Sequence, residues 1–291
     1  MILIAGATGS LGSRIAHSLL DDGNAVRAFV RPTSTHASLL GAGADIAFGD
    51  LKDLASITRA CDGVETVITT ASVSKRGDDD VEAVDRQGNR NLVQAASAAG
   101  VRHVIFTSTV GASPAHPVPL FRIKAEIERL LRESGMTWTV LQPNAFMDVW
   151  FAMLIEKPIH EGMPVTLVGE SRRRHSFVAE RDVAAFACAA VNHPAARNAT
   201  IQIGGPEALT FRDVVRQYER ATGHPIEVRG VPPGDPIPGL PEPVWGIAAG
   251  LETYDSIIPM DETAVTYGIE LTSAEVFARS RFGMSGAAVP P

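Results

Sequence analysis

Short apolar runs alternate with helix-length amphipathic segments over the first half of the chain. Six apolar or β-branched runs predict strands at Ile2–Ala5, Ala25–Val30, Asp45–Phe48, Thr66–Thr69, His103–Thr107 and Thr137–Leu141. The amphipathic segments between them predict helices at Leu11–Asp22, Leu51–Ala60, Val84–Ala99 and Phe121–Ser134. Strands and helices that alternate at this rhythm are typical of an α/β protein with a doubly wound parallel sheet, covered by helices on both faces.

The rhythm breaks near Asn144, and the second half mixes short elements with loops. It predicts strands at Val165–Val168, Ser176–Val178 and Thr200–Ile203, a helix at Arg181–Val191, and helices capped by Thr210 with Asp213 and by Thr272 with Glu275. Six prolines within residues 231–243 predict a surface loop or lid. We expect a sheet domain over residues 1–150, a smaller α+β lobe over 151–284 whose segment 175–192 returns to the sheet, and a mobile tail over 285–291.

Composition and charge narrow the functional classes. The chain has 291 residues, of which 45% are hydrophobic and 20% charged, and its formal net charge is −7. Nucleic acids and anionic membranes bind positive surfaces, so we expect neither as a partner. No apolar run approaches the ~18 residues of a membrane span, and Met1 directly precedes a predicted strand, so we expect a cytoplasmic protein without a presequence. Cys61 and Cys188 fit buried, reduced thiols.

The most specific feature is a glycine-rich turn between the first strand and the first helix. In the sequence GATGSLG, Gly6 permits a tight turn, Gly9 lets the backbone approach a pyrophosphate, and Gly12 lets helix and strand pack closely. The leading amides of the helix then face the anion. Glycines also cluster in turns that bind nothing, but a position after the first strand and before the first helix favours a dinucleotide site.

The end of the second strand indicates which dinucleotide binds. Sites that prefer NAD tend to place Asp or Glu there to hold the ribose 2′-hydroxyl, whereas this chain has Arg31. A guanidinium attracts a 2′-phosphate, so we expect NADP(H) in preference to NAD(H). The alternative is a solvated charge at a strand end. Asp50 and Leu51 follow the third strand, where they could bracket an adenine edge.

Several segments between Met1 and Val231 carry a family resemblance. Besides the glycine turn and Arg31, they are GDLKD (Gly49–Asp53), AGVRHVIFTST (Ala99–Thr109), FRIKAEIERLL (Phe121–Leu131), LQPNAFM (Leu141–Met147), FVAERDVA (Phe177–Ala184) and GGPEALTFRDVV (Gly204–Val215). Together they resemble the NmrA-like and isoflavone-reductase-like branch of the atypical short-chain dehydrogenases/reductases. The resemblance implies an NAD(P)-binding Rossmann domain with cofactor contacts from Gly6, Thr8, Gly9, Ser10, Leu11, Arg31, Asp50, Leu51, Thr70, Ala71 and Ser72. We also expect cofactor contacts from Gly12 of the glycine turn, from Lys124, and from Pro143 and Asn144, which follow the sixth strand and flank the nicotinamide.

The chain departs from that superfamily at its proton donor. Ordinary members use a Tyr-x-x-x-Lys pair in which the tyrosine is the acid; Lys124 matches the lysine, but Leu120 stands at the tyrosine position. Phe121 and Lys124 instead resemble the isoflavone-reductase-like arrangement, in which a lysine near the nicotinamide is the general acid/base. Burial and a neighbouring cation could depress the pKa of a lysine for that role. The alternatives are that Lys124 only binds the nicotinamide ribose, or that it is a solvated helix charge.

Candidate substrate contacts follow the fifth and sixth strands. Thr107, Ser108 and Thr109 end the fifth strand, where the superfamily's catalytic serine lies, so their hydroxyls could bond a substrate oxygen or cap the strand. The apolar stretch after the sixth strand could form a substrate wall or belong to the core. The candidate substrate-binding residues are Thr109, Phe146, Met147 and Trp150.

Metal and hydrolase chemistry receive little support from the sequence. His160 and Glu161 begin like a zinc-protease helix, but Pro164 stands where the second histidine is required. No G-x-S-x-G motif is present. For the three arginines at 172–174, an exposed turn is a better interpretation than an anion site.

We therefore expect an NADPH-dependent oxidoreductase that transfers hydride to a small apolar acceptor, such as a carbonyl, enone, quinone or azo compound. Because the tyrosine is missing, a second hypothesis is a non-catalytic NADP-binding redox sensor of the NmrA type that acts through a protein partner. A third, an epimerase or dehydratase that stores hydride transiently on NAD, is weakened by the same missing tyrosine. The oligomeric state stays open.

Overall fold

The computed structural model describes residues 1–73 and 80–282. Its strands are β1 (Ile2–Ala5), β2 (Val26–Val30), β3 (Asp45–Phe48), β4 (Thr66–Thr69), β5 (His103–Thr107), β6 (Thr137–Pro143), β7 (Val165–Val168), β8 (Ala199–Ile203) and β9 (Val228–Val231). Its α-helices are α1 (Ser10–Asp21), α2 (Ala37–Gly41), α3 (Leu54–Ala60), α4 (Asn89–Ala98), α5 (Pro119–Glu133), α6 (Met147–Phe151), α7 (Lys157–His160), α8 (Glu180–Asn192), α9 (Phe211–Thr222), α10 (Glu242–Leu251), α11 (Asp261–Tyr267) and α12 (Ala274–Arg281). Wider π-helical segments span Val81–Gly88 and Ala152–Glu156, and Pro194–Ala196 forms a 3₁₀ turn.

Seven strands form one sheet in the order β3-β2-β1-β4-β5-β6-β8, and β1 to β6 pair in parallel. The strand order reverses between β1 and β4, which lie side by side with Ile2 opposite Thr66 and Ala5 opposite Thr69. In open α/β sheets, ligands bind beyond the carboxyl ends of the strands at such a reversal. The predicted doubly wound parallel sheet is confirmed, and the glycine turn lies at the reversal.

Helices α3, α4 and α5 pack on one face of this sheet. Ile57, Leu92 and Ile127 come from these three helices and are at most 1% exposed. They belong to one core cluster with Val67 of β4 and Phe106 of β5. Burying an aliphatic side chain of this size contributes roughly 1.5–3 kcal/mol. The packing therefore fixes α5 against the strand ends where the predicted site lies.

The chain forms two compact units. The first comprises Met1–Pro143 with Val183–Gln202, and the second comprises Asn144–Asp182 with Ile203–Pro291. The division at Pro143 lies a few residues before the expected boundary at 150. The segment that returns to the first unit begins later than the expected 175 and ends beyond 192. It does so because it carries both α8 and β8, and β8 lies beside β6 in the sheet.

The second unit has a sheet and an aromatic core of its own. Strands β7 and β9 pair in parallel, with Val165 opposite Val228. The ring of Phe151 lies 5.0 Å from that of Phe177 and 6.2 Å from that of Tyr218, both edge-on. Such pairs add about 0.5–1.5 kcal/mol each to the burial of their surface. Aromatic packing of this kind is what stabilises the unit around its two-stranded sheet.

Two predicted helix caps have different outcomes. Thr210 accepts a hydrogen bond from the Asp213 N–H, and the Asp213 carboxylate accepts one from the Thr210 N–H, so the predicted capping box is confirmed. The predicted cap at Thr272 is wrong, because Ser273 caps α12. Thr272 donates instead to the buried carboxylate of Asp182 at 2.7 Å. A bond to a charged acceptor is stronger than a bond to a helix amide.

Three other predictions concern irregular segments. Residues 176–178 do not form a strand; Val178 makes a single bridge with Phe146. The proline-rich segment is irregular from the end of β9 until α10 begins at Glu242, as predicted for most of its length. The predicted tail at 285–291 lies outside the described residues.

Candidate functional site

The glycine turn lies at the carboxyl end of β1, against the segment that follows β4. Gly6 has a φ of +85°, and a Cβ on it would lie 2.7 Å from Thr70 Oγ1. A Cβ on Gly12 would overlap the Gly6 carbonyl oxygen, whereas a Cβ on Gly9 would meet that oxygen at 3.3 Å. Gly6 and Gly12 are therefore required by the packing of the protein itself. The missing side chain at Gly9 keeps the outer surface of the turn clear.

Helix α1 begins without a side-chain cap. Its N-cap is Gly9, whereas Asp53 caps α3 and Thr210 caps α9 through side-chain oxygens. The first helical bond runs from the Ser13 N–H to the Gly9 carbonyl, so the amides before it face along the positive end of the helix. The first turn contains no acidic residue. An anion fits this helix end. Of the other predicted contacts on the turn, Thr8 and Ser10 are exposed and Leu11 is half-buried.

The ends of β2 and β3 carry the residues predicted for the adenosine side. Arg31 directly follows β2 and is half-buried. Asp50 accepts a hydrogen bond from the Lys52 N–H at 2.8 Å. Leu51 is 9% exposed, and its carbonyl accepts from Asn91 Nδ2 at 2.9 Å. Because β2 and β3 pair with each other, Arg31 and Asp50 follow neighbouring strand ends.

Thr70, Ala71 and Ser72 follow β4 beside the glycine turn. The Thr70 hydroxyl donates to the Gly6 carbonyl at 3.4 Å. Ala71 is buried, and the Ser72 hydroxyl donates to Asp85 Oδ1 at 2.7 Å. The structure therefore brings Thr70 to the turn as expected, while the hydroxyl of Ser72 bonds to a carboxylate behind the loop.

Lys124 lies on the buried face of α5, next to the end of β5. Its Nζ donates to the Thr107 carbonyl at 3.0 Å and lies 3.7 Å from Asp85 Oδ1. It also lies 4.8 Å from the centre of the Phe106 ring, a cation–π contact. Burial lowers the pKa of Lys124 below its ordinary value, and the carboxylates of Asp85 and Glu128 oppose that shift. The prediction of a solvated helix charge is wrong, since the side chain is 8% exposed.

Ser108, at the position of the superfamily's catalytic serine, is bonded to a buried carboxylate. Its hydroxyl donates to Glu128 Oε1 at 2.5 Å, and the same oxygen accepts from Gln142 Nε2 at 2.8 Å. Arg132 donates to the other carboxylate oxygen at 3.0 Å. The Ser108 hydroxyl therefore holds α5 against β5 and is not available to a substrate oxygen.

The two threonines beside Ser108 differ from it. Thr107 Oγ1 is buried and has no hydrogen-bond partner within residues 1–73 and 80–282. Thr109 is half-buried, and its hydroxyl makes a long bond of 3.3 Å to the Val110 carbonyl. The Val110 N–H donates to the Pro143 carbonyl at 3.1 Å, which ties the ends of β5 and β6 together. The half-buried Thr109 hydroxyl thus keeps hydrogen-bonding capacity that a ligand can use.

Sequence reasoning missed Asp85 and Asn89, which hold the segment after β4. Asp85 is 1% exposed, and its Oδ2 accepts from the Val73 N–H at 2.8 Å. Asn89 Oδ1 accepts from the Thr69 hydroxyl at 3.0 Å, and its Nδ2 donates to the Asp85 carbonyl at 3.0 Å. Both residues lie in or directly after the π-helical segment Val81–Gly88, a distortion frequent at functional sites. The available signal was a polar pair one turn apart, which by pattern alone indicates a solvated face.

Three of the four candidate substrate-binding residues, Phe146, Met147 and Trp150, lie in the second unit, and so does Asn144, which was predicted to contact the cofactor. Asn144 Nδ2 donates to the Ser256 carbonyl at 2.9 Å, and its Oδ1 accepts from the Ser256 hydroxyl at 3.1 Å. This side-chain amide therefore holds two chain segments together. Met147 is 2% exposed in the aromatic core, so its side chain is used in packing and not in an open wall. Phe146 and Trp150 are half-buried and stay candidates.

The described ranges offer no support for metal, membrane-spanning or thiol chemistry. They contain no group of three or more His, Cys, Asp or Glu that could hold a metal ion. No described helix is long and apolar enough to cross a membrane. Burial raises the pKa of the Cys61 thiol to about 11 and that of Cys188 to about 12, which makes both thiols unreactive near neutral pH. Arg172, Arg173 and Arg174 are exposed, as predicted.

The carboxyl ends of the strands in the first unit fit a dinucleotide. A glycine-capped helix N-terminus lies where the strand order reverses, and the guanidinium of Arg31 follows the neighbouring strand. These features suit the phosphate groups of a dinucleotide.

Comparison with known proteins assigns the family. The model of the NmrA-like family matches residues 1–270. This chain belongs to the NmrA-like family. An NAD(P)H azoreductase from Xenophilus azovorans is 32% identical to this NmrA-like protein over 228 residues, which are 78% of this chain and 75% of the azoreductase. A Photosystem II assembly factor Ycf39 from Cyanophora paradoxa is 32% identical over 231 residues, 79% of this chain and 71% of that one.

A solved structure shares the fold of this NmrA-like protein. The NADPH-dependent quinone oxidoreductase QOR2 from Escherichia coli, complexed with NADPH, superposes with a TM-score of 0.82 at 23% identity, covering 97% of this chain and all of the other. At that identity the likeness concerns the fold alone. The family resemblance carried by the sequence motifs is confirmed.

Proposed function

We propose that the chain is an NADPH-dependent reductase that transfers hydride to a small apolar acceptor, such as a quinone, azo compound, enone or carbonyl. The observation that carries this proposal is the glycine-capped N-terminus of α1 at the strand reversal, on the same sheet edge as the buried Lys124. The name of a relative, an NAD(P)H azoreductase, supports a nicotinamide cofactor and a reductase.

The cofactor contacts follow from the strand ends. The leading amides of α1 hold the pyrophosphate, Arg31 holds the 2′-phosphate, and Asp50 with Leu51 bounds the adenine. The remaining contacts are Gly6, Thr8, Gly9, Ser10, Leu11, Gly12, Thr70, Ala71, Ser72 and Pro143. Asn144 contributes through its backbone, because its side chain is bonded to Ser256. When bound, the nicotinamide supplies the hydride.

Lys124 supplies the proton. An ammonium group carries three N–H donors, and within the described chain Nζ makes one hydrogen bond, to the Thr107 carbonyl. A remaining N–H gives its proton to the acceptor's oxygen or nitrogen as the neighbouring atom receives the hydride. The neutral amine then takes a proton from water. The acceptor gains two electrons and two hydrogens in total, so the reaction balances.

The substrate class rests on Phe146 and Trp150. Both are half-buried aromatic side chains, which offer flat apolar surface to a planar molecule. Thr109 offers a hydroxyl for an acceptor oxygen. We expect Trp150→Ala to raise the KM for a quinone while leaving the affinity for NADPH unchanged.

The cofactor preference is tested at Arg31. Calorimetric titration should show tighter binding of NADPH than of NADH, and Arg31→Ala should weaken NADPH binding about tenfold, or about 1.4 kcal/mol. The affinity for NADH should stay the same. Arg59→Ala, an exposed arginine in α3, is the matched control. Equal affinities of the unmodified protein for both cofactors would refute the role of Arg31.

A second candidate function is a redox sensor that binds NADP(H) without turnover. Leu120 stands at the position of the usual tyrosine, and the Ser108 hydroxyl is bonded to Glu128, so one of the superfamily's catalytic groups is absent and another is already hydrogen-bonded within the protein. A panel of quinones, enones and azo dyes separates the two functions by consumption of NADPH. No turnover on any acceptor, together with different affinities for NADPH and NADP⁺, would favour the sensor.

A further inference from the structure

The Asp85 carboxylate is fully buried and contacts both the segment that follows β4 and Lys124 on α5. Its Oδ1 accepts from the Ser72 hydroxyl at 2.7 Å, and its Oδ2 accepts from the Val73 N–H at 2.8 Å. Lys124 Nζ lies 3.7 Å from Oδ1, with side-chain exposures of 8% for Lys124 and 0% for Asp85. One carboxylate therefore connects the segment after β4 to the lysine at the end of β5.

A buried lysine is unusual in this chain. Only four of the 26 basic residues are lysines, namely Lys52, Lys75, Lys124 and Lys157. Lys52 and Lys157 are exposed, and the other basic residues of α5 are arginines. Arginine stays charged at every accessible pH, whereas lysine can release its proton. The position that faces Asp85 thus holds the basic side chain that can donate a proton.

Two carboxylates act on Lys124, and they differ in how far their charge is offset. Glu128, one turn further along α5, is bonded to Arg132 at 3.0 Å and also accepts from Ser108 and Gln142. Asp85 accepts from two neutral donors, and among the described residues Lys124 is the cation within ion-pair distance of it. Within the described residues, the carboxylate next to Lys124 whose charge no second cation offsets is therefore that of Asp85. A buried charge without a partner is costly, so the Asp85 carboxylate stabilises the ionised form of Lys124.

We propose that Asp85 is a positioning residue of this reductase, which keeps Lys124 as an ammonium ion at the end of β5 and fixes it relative to Ser72 and Val73. The proposal rests on the proposed function, because it concerns the proton donor of that reaction. During turnover the proton leaves Lys124 for the acceptor, Asp85 stays a carboxylate, and Lys124 regains a proton from water. Asp85 favours that regain, so it sets the upper limit of the active pH range.

The first test observes Lys124 directly and needs no substrate. Lysine-selective ¹⁵N labelling of the full chain gives few Nζ signals, and Lys124→Arg identifies the one from Lys124. Asp85→Asn keeps an oxygen acceptor but removes the charge, so the titration midpoint of Lys124 should fall by about 1–3 pH units. Asp182→Asn is the matched control, since Asp182 is also buried and also accepts from a side-chain hydroxyl and a backbone N–H, both of Thr272, but lies in the second unit. An unshifted midpoint in Asp85→Asn overturns the proposal.

Two further measurements separate charge from packing. Asp85→Glu keeps the charge and should leave the Lys124 midpoint near its original value, whereas a side chain that only packs would give the same result for Glu and Asn. Glu128→Gln should lower the midpoint less than Asp85→Asn does; the reverse order would assign the role to Glu128 and overturn the proposal. If Asp85→Asn does not fold, the unmodified protein still decides, because the Val73 amide signal must titrate together with Lys124.

The pH profile of turnover completes the test. In Asp85→Asn, kcat should fall at a lower pH than in the unmodified protein, while KM for the acceptor stays unchanged. The failures are distinguishable, because a protein that reduces no acceptor refutes the proposed function and leaves the Nζ titration interpretable. If the titration midpoint of Lys124 Nζ is the same with and without the Asp85 charge, the positioning role is refuted, whether or not the protein reduces any acceptor.

Discussion

Two buried polar clusters, one in each unit, differ in whether their hydrogen-bonding groups are all used within the protein. In the second unit His175 is fully buried, with Nδ1 2.7 Å from the Ser256 hydroxyl and Nε2 3.0 Å from the Leu251 carbonyl oxygen. The side-chain amide of Asn144 bonds the carbonyl and the hydroxyl of Ser256. Burial lowers the pKa of His175, so this cluster is neutral at pH 7. Its polar side chains all hold protein groups.

The cluster around Lys124 in the first unit is charged, and the ammonium group has N–H donors for which no described residue is an acceptor. Among the described residues Lys124 makes one hydrogen bond, to the Thr107 carbonyl, and the distance from its Nζ to Asp85 Oδ1 is that of an ion pair and exceeds that of a hydrogen bond. A neutral cluster whose polar side chains all contact protein groups joins chain segments and stabilises the fold. A charged cluster with unused donors suits chemistry, and perturbed groups of this kind concentrate at functional sites.

Replacing the lysine is expected to have the largest effect. Lys124→Met keeps the length and burial of the side chain but removes the proton donor, so turnover should fall about 10²–10⁴-fold. NADPH affinity should change little, because the pyrophosphate and 2′-phosphate contacts remain. Initial rates and calorimetric titration measure the two quantities, with Lys52→Met as an exposed-lysine control. Undiminished turnover in Lys124→Met would reject the proton-donor role.

Breaking the neutral cluster should affect stability instead of chemistry. His175→Ala removes the imidazole that contacts the Leu251 carbonyl and the Ser256 hydroxyl and creates a cavity, so unfolding should become easier by about 2–4 kcal/mol. Urea-induced unfolding measures this loss, and His224→Ala, at an exposed histidine, is the control. If both variants unfold at the same urea concentration, the second cluster does not hold its segments together.

Acid should lower stability through the buried histidines, whereas alkali should lower turnover through Lys124. The pKa of His175 is lowered by burial, and that of His103 is lowered to about 4, also by burial first. Unfolded histidines bind a proton near pH ~6.5. As the pH falls below that value, the unfolded chain gains protons that the folded chain does not, so stability falls from there towards about pH 4. At the alkaline end Lys124 loses its proton, so turnover falls as the pH rises. Urea midpoints and rates across the pH range measure both, and His175→Gln should flatten the acid limb.

The smallest effect on turnover is expected at Ser108. Its hydroxyl is bonded to Glu128, so Ser108→Ala should leave kcat almost unchanged, although the lost bond to a carboxylate should cost about 1.5–3 kcal/mol of stability. Thr109→Ala is the informative companion, because that hydroxyl has capacity for a ligand. A large loss of kcat in Ser108→Ala with the fold intact would mean that the serine acts on the substrate.

The proposed cofactor contacts could be predicted from neighbouring residues in the sequence. The surroundings of the proposed proton donor, Lys124, depend on contacts between distant parts of the chain. The turn around Gly9 and the strand end at Arg31 are read from neighbouring residues and their spacing. The partnership of Asp85 and Lys124 depends on how two helices lie against the sheet, which periodicity does not reveal. The same holds for Asn144, whose amide is bonded to a residue 112 positions away. A polar residue on a helix looks solvated until the helix has a neighbour.

The late return of β8 to the sheet has a consequence for how the protein is made. Strand β6 ends at Pro143, but its neighbour β8 begins only at Ala199, after the first part of the second unit has passed through the ribosome. Until then the nascent sheet exposes an unpaired edge, which can pair with other chains. Chaperone demand should therefore peak while that intervening segment is being translated.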